Sequence, residues 1–155
     1  MLFIFDLDGT VIDSSHRALA NDDGSINLAH WRKNSTAKMV ANDSLLPLAE
    51  GWKQINRKHH TIVVMTARVM GWADHKFLSD NGLFPDYMYS RPEFSTTPDD
   101  ILKYRMILQL RRHIGKSLAW IRQNTYFFDD NKMVREIMQR NLIRAFDPTH
   151  YNARN

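Results

Sequence analysis

The sequence contains no cysteine. Disulfides, zinc–thiolate centres and cysteine nucleophiles are therefore excluded. It has no apolar run near the roughly 18 residues that a membrane-spanning helix needs. The apolar run at residues 2–5 is short and is followed by acids. A secretory leader has basic residues first and a longer apolar stretch. These absences predict a cytoplasmic protein with no membrane partner. Repeats, low-complexity tracts and linkers are also missing. Acidic residues are absent from 101–125, which holds six Lys or Arg. The first 30 residues show the reverse, with Asp6, Asp8, Asp13, Asp22 and Asp23 against Arg17 alone.

What is present is ordinary for a globular chain: 43% hydrophobic, 11% aromatic and 25% charged residues, which excludes mostly disordered, collagenous and coiled-coil classes. The 155 residues predict one domain, with a short insertion at about 14–45. Such a chain buries about two-thirds of its unfolded surface. The net charge of +4 and a pI near 9.5 are compatible with a polyanionic partner.

Continuous apolar or β-branched runs predict buried strands at 2–5, 61–65, 87–89, 125–128 and 142–146. Helical patterns lie between them. One opens at Pro47 with Leu48, Trp52 and Ile55. A second covers 74–81 and stops at Gly82. A third follows the turn-rich 95–100, with Ile101, Tyr104, Leu108 and Leu110 as its apolar face. A fourth covers 132–140, and the tail after Pro148 reads as peripheral. Alternating strands and helices predict an α/β, doubly wound three-layer sandwich with a five-stranded parallel sheet. Ligands bind such sheets at the carboxyl ends of the strands. Three strands end there in reactive groups: Asp6 with Asp8, Thr66 with Arg68, and Asp129 with Asp130. Carboxylates brought this close need a cation, and hard oxygen donors favour Mg²⁺. The same set suits phosphoryl transfer, with Asp6 as nucleophile, Asp8 as acid and base, Thr66 as a phosphoryl hydrogen-bond donor and Lys103 as a neutralising cation.

The segment Phe5-Asp6-Leu7-Asp8-Gly9-Thr10-Val11 resembles the first motif of the haloacid dehalogenase-like (HAD) phosphatases. Thr66, Lys103 and Asp129-Asp130 resemble the second, third and fourth motifs, in the right order. A narrower resemblance is to the 3′-phosphatase domain of bacteriophage polynucleotide kinase, which Arg17, Thr66-Ala67-Arg68 and Asp99-Asp100 match. The resemblance implies a Rossmann-type HAD fold with minimal or no cap. It implies an aspartyl-phosphate on Asp6, substrate contacts from Thr10, Arg17 and Arg68, and Mg²⁺ held by Asp6, Asp8, Asp129 and Asp130. The insertion is too short for a cap with its own core, which leaves the site open to large substrates. The leading expectation is thus removal of 3′-phosphates from nucleic-acid ends. The alternatives are a 5′(3′)-nucleotidase or small-molecule phosphatase, and a catalytically silent binding module of the same fold. Within the insertion, Trp31 with Arg32-Lys33 reads as a nucleotide-stacking group or, more commonly for such a tryptophan, as loop packing.

Overall fold

In the computed structural model, which describes residues 1–155, the strands are β1 (Leu2–Phe5), β2 (Ile12–Asp13), β3 (Ser44–Leu45), β4 (Thr61–Met65), β5 (Tyr87–Tyr89), β6 (Thr125–Phe128) and β7 (Arg144–Phe146). The helices are α1 (Leu28–Lys33), α2 (Ala37–Ala41), α3 (Leu48–Lys53), α4 (Trp72–Asp80), α5 (Asp99–His113), α6 (Leu118–Asn124), α7 (Lys132–Arg140) and α8 (Thr149–Arg154). Five strands form one parallel sheet in the order β5-β4-β1-β6-β7. The chain starts in the centre, adds strands to one side, then returns to β1 and adds strands to the other. The switch of direction falls between β4 and β6, over the carboxyl end of β1, where open α/β sheets bind their ligands.

Both faces of the sheet are covered, which is why its strands read as unbroken apolar runs. On one face Ile4, Val63, Met65 and Phe127 pack with Leu102, Met106, Ile107 and Leu110 of α5, Ile121 of α6, and Val134 and Met138 of α7. On the other, Phe5, Ile62 and Val64 pack with Leu48, Ala49 and Trp52 of α3, and Phe77 and Leu78 of α4. Neighbours in β4 thus go to opposite layers, as the two-residue strand period requires.

The following details depart from the sequence reading. The buried face of α5 is Leu102, Met106, Leu110 and Ile107, with Lys103 among them, while Ile101 is 40% exposed. Of the expected face, Leu110 is buried and Tyr104 packs against the core, whereas Ile101 lies on the outer side. The last strand is shorter than 142–146. Leu142 has φ of 63° and is 69% exposed, because it turns the chain out of α7 before β7 begins. Helix α6 is additional to the helices that the sequence pattern predicts. The tail is not peripheral, since Asn152 of α8 accepts the Leu48 N–H at 2.9 Å and donates to the Thr10 carbonyl at 3.0 Å. It therefore clamps the turn after β1 against α3.

The insertion leaves the main body through the antiparallel pair β2–β3. Val40 is its one buried apolar residue, and it packs into the α3–α4 layer. Helix α1 has no buried residue. The insertion therefore has no core of its own, and polar contacts with the sheet edge hold it. No helix is long and apolar enough to cross a membrane.

Candidate active site

Strand register assembles the site. Phe5 is level with Phe128 of β6 and Val64 of β4, so Asp6 and Asp129 stand side by side just past the strand ends. Neighbouring strands lie about 4.8 Å apart. The ladder continues one residue further, with the Asp6 N–H donating to the Phe128 carbonyl at 2.9 Å and the Thr66 N–H to that of Tyr89 at 3.0 Å. Carboxylate oxygens of Asp6, Asp129 and Asp130 all lie within 4.8 Å of one another. The Lys103 ammonium sits between two of them, 2.8 Å from Asp6 and 2.7 Å from Asp129. It reaches them from the second turn of α5, buried to 2% exposure, so the stem packs in the core and only the charge meets the acids.

The electrostatics follow from this packing. Burial pushes the Asp6 carboxyl well above the usual carboxylate range. The Lys103 ammonium pulls it back, and repulsion from Asp129 and Asp8 adds to the rise. Burial, then Asp129, pushes Asp130 up to about 6. Burial alone lowers the pKa of Lys103, but the attraction of Asp6 and Asp129 outweighs it and the net shift is upward. Three carboxylates against one ammonium leave an excess of two negative charges when all are ionised.

The turn between Asp6 and Ile12 is tight. The N–H groups of Thr10, Val11 and Ile12 all donate to the Leu7 carbonyl. Gly9 has φ of 71°, and a Cβ there would lie 2.2 Å from an Asp130 carboxylate oxygen. Glycine is thus required twice, by the left-handed backbone and by the approach of the acid.

Asp8 departs from the expectation that it joins the metal-binding acids. It is not in the cluster of three. Its oxygens accept Arg68 Nε at 2.8 Å, Arg68 Nη2 at 2.7 Å and the Ser14 hydroxyl at 2.5 Å. Burial pushes its pKa up, but the Arg68 guanidinium, the Ser14 hydroxyl and Arg17 together outweigh burial and hold the carboxyl below its ordinary range. Thr66 is buried and its hydroxyl accepts the Arg68 N–H at 3.1 Å, leaving its own proton to donate. Thr10 does not offer the expected substrate contact. It is 0% exposed and its hydroxyl has no partner.

Arg17 and Arg68, expected to reach for the substrate phosphate, are both buried and held by acids. Arg17 forms a two-pronged pair with Asp43, at 2.9 Å on both oxygens, and donates to the Ser35 hydroxyl at 3.1 Å. Arg68 donates to Asp43 at 3.1 Å and Asp74 at 2.7 Å as well as to Asp8. Asp43 also faces His16 Nε2 at 2.8 Å. The Trp31 ring covers the Arg17 guanidinium, 4.2 Å from its centroid.

Asp43, Asp74 and Ser14 were not singled out in the sequence. A buried arginine demands an acid, but nothing in the spacing distinguishes Asp43 from Asp22 or Asp23 as the partner of Arg17. Asp99 begins α5 and accepts Arg91 Nη2 at 2.6 Å, so it serves as a helix start. Asn131, not Asp129 or Asp130, caps α7, which leaves both acids for the cluster.

A parallel sheet with acids gathered at its switch point, beside a buried lysine, defines a HAD-like hydrolase. A HAD-like hydrolase from Streptococcus pneumoniae superposes with a TM-score of 0.67 at 15% identity, over 93% of this chain and 82% of that one. A HAD-superfamily hydrolase from Geobacter sulfurreducens gives 0.66 at 12% identity, over 93% and 86%. A chain of the Pnkp1/Rnl/Hen1 RNA repair complex gives 0.63 at 19% identity, over 94% and 41%. These likenesses are of fold. More particularly, the chain belongs to the family described as bacteriophage T5 5′-deoxynucleotidase, which matches residues 1–154. The 5′-deoxynucleotidase of Escherichia phage T5 is 34% identical over 87 residues. That match takes in 53% of this chain and only 35% of the relative, so the shared segment spans about a third of the relative's length.

Proposed function

We propose that this protein is a Mg²⁺-dependent phosphomonoesterase that removes the phosphate of nucleoside monophosphates through an aspartyl-phosphate on Asp6. The observation that carries the chemistry is the placement of Asp6 at the switch point, 2.8 Å from Lys103 and within 4.8 Å of the Asp129 and Asp130 oxygens. The donors suit a hard divalent cation: all are carboxylate oxygens, no sulfur or imidazole is among them, and their excess charge is two. Asp6, Asp129 and Asp130 would hold the ion, which, when bound, neutralises charge between phosphate and nucleophile.

The chain's own groups do the rest. Asp6 attacks phosphorus, the new P–O bond forming as the ester P–O bond breaks. Lys103 offsets the charge that gathers on the phosphoryl oxygens. The Thr66 hydroxyl is left with a proton for one of those oxygens. Asp8 gives the departing alkoxide its proton and later takes one from the water that cleaves the aspartyl-phosphate. In the ligand-free arrangement Asp8 is ionised against Arg68. To act as the acid it must take up a proton, which is favoured once the incoming phosphate dianion competes for that guanidinium.

The reading first drawn from the sequence, 3′-phosphates at nucleic-acid ends, yields here to the nucleotide alternative. The family's description and the relative's name support it, and so does the insertion, which reaches Arg68 and Asp8 instead of standing clear of the site. The test is a substrate panel with Mg²⁺: deoxynucleoside 5′-monophosphates, 3′-monophosphates, and oligonucleotides phosphorylated at either end. Mononucleotides should lead in kcat/KM. A clear preference for 3′-phosphorylated ends restores the first reading. Failure to hydrolyse any of these or an aryl phosphate points to a silent binding module.

A further inference from the structure

We propose that Trp31 is the stacking surface for the nucleobase of the substrate, with Arg17 as its fixed backing; this rests on the nucleotidase reading above. Helix α1, which carries Trp31, has six residues and buries none of them. A helix this short is not stable on its own propensity. Its Leu28 is also exposed. Trp31 therefore does not anchor the insertion into the core, as loop tryptophans commonly do. Its partner is a guanidinium. Arg17 lies 4.2 Å from the ring centroid and is held in place, because both Asp43 oxygens grip its Nε/Nη2 edge and Ser35 takes an Nη1 N–H. The Ser35 hydroxyl in turn donates to the Trp31 carbonyl at 2.7 Å. One face of the indole is thus set by a rigid cation, while the residue stays partly open to solvent.

The placement fits a nucleotide. The Arg68 guanidinium carbon is 5.8 Å from the Trp31 centroid, and its Nη2 donates to Asp8 at 2.7 Å. The indole is therefore no more than about 10 Å from the Asp8 carboxylate. With phosphate at Asp6, a nucleoside 5′-monophosphate has its base at comparable reach. An indole face accepts any base, because every base offers a π surface. A guanidinium behind the ring adds to this without selecting a base. The resulting selectivity is for nucleotides over simple sugar phosphates, with weak discrimination among bases.

The test compares deoxynucleoside 5′-monophosphates with 2-deoxyribose 5-phosphate on the Mg²⁺-loaded full chain, for wild type, Trp31→Phe and Trp31→Leu. The ratio of kcat/KM for nucleotide over sugar phosphate should fall about 5- to 100-fold in Trp31→Leu, chiefly through KM, and Trp31→Phe should retain most of it. An unchanged ratio in Trp31→Leu overturns the proposal, even if both substrates are turned over more slowly. Binding gives a readout without turnover. In Asp6→Asn, dGMP should quench tryptophan fluorescence, and Asp6→Asn/Trp31→Phe should lose that quench. Quenching that persists without Trp31 places the base elsewhere. A wild type that hydrolyses neither substrate counts against the phosphatase reading, while the quench still decides where the base binds.

Discussion

Asp43→Asn probes the junction between insertion and site. The substitution keeps the volume of a side chain that is wholly buried and removes its charge. Arg17 has no other carboxylate partner, so it stays buried with only Ser35, the Trp31 face and one amide oxygen. Arg68 loses one bond but keeps Asp8 and Asp74, and His16 is partly open to water. The cost therefore falls mainly on Arg17. Breaking a buried ion pair from one side costs about 3–5 kcal/mol, and the remaining amide oxygen argues for the lower end, about 3 kcal/mol. For a chain of 155 residues each kcal/mol lowers Tm by about 2–4 °C, so a fall of roughly 6–12 °C is expected. Circular dichroism melts and urea unfolding measure it. A companion double variant, Arg17→Met with Asp43→Leu, replaces the pair by apolar groups and should recover much of the loss. A loss below about 1 kcal/mol, the scale of a surface pair, refutes the argument that this acid holds the arginine.

Three further outcomes are expected. Gly9→Ala should cost about 1–2 kcal/mol for the left-handed backbone. It should also weaken Mg²⁺ binding at least about tenfold by displacing Asp130, read by calorimetry. Because burial and Asp129 raise Asp130 to about 6, the metal-free fold favours its protonated form. Its contribution to stability is complete below the usual carboxylate range and is lost as pH rises towards about 6. Mg²⁺ competes with that proton, so its affinity should decline as pH falls through about 6, seen in titrations on either side of that value. Leu110→Ala should destabilise by about 2–5 kcal/mol, whereas Ile101→Ala, on the outer side of α5, should stay within about 1 kcal/mol; urea unfolding separates the two.

The central strands were legible because each is buried on both faces and bounded by polar residues, as in Leu2–Phe5 before Asp6 and Thr125–Phe128 before Asp129. The acids and Lys103 were legible because parallel strands carry their following residues to one edge. What escaped depends on tertiary packing. Strands β2 and β3 are two residues each, too short to show a period. Helix α6 buries Ile121 alone. The α8 clamp acts through one asparagine. The roles of Asp43 and Asp74 become visible only in the fold, which brings both acids to the Arg68 guanidinium.

The central claim is that Asp6 takes the phosphoryl group. Acid-quenched single-turnover reactions with Mg²⁺ and a nucleoside monophosphate, followed by peptide mapping, test it most directly. The expected result is a transient phosphoryl group on the peptide carrying Asp6, sensitive to hydroxylamine and absent in Asp6→Asn, which should also lose turnover. Full turnover by Asp6→Asn, or phosphate release with no phosphorylated enzyme at any quench time, contradicts the account.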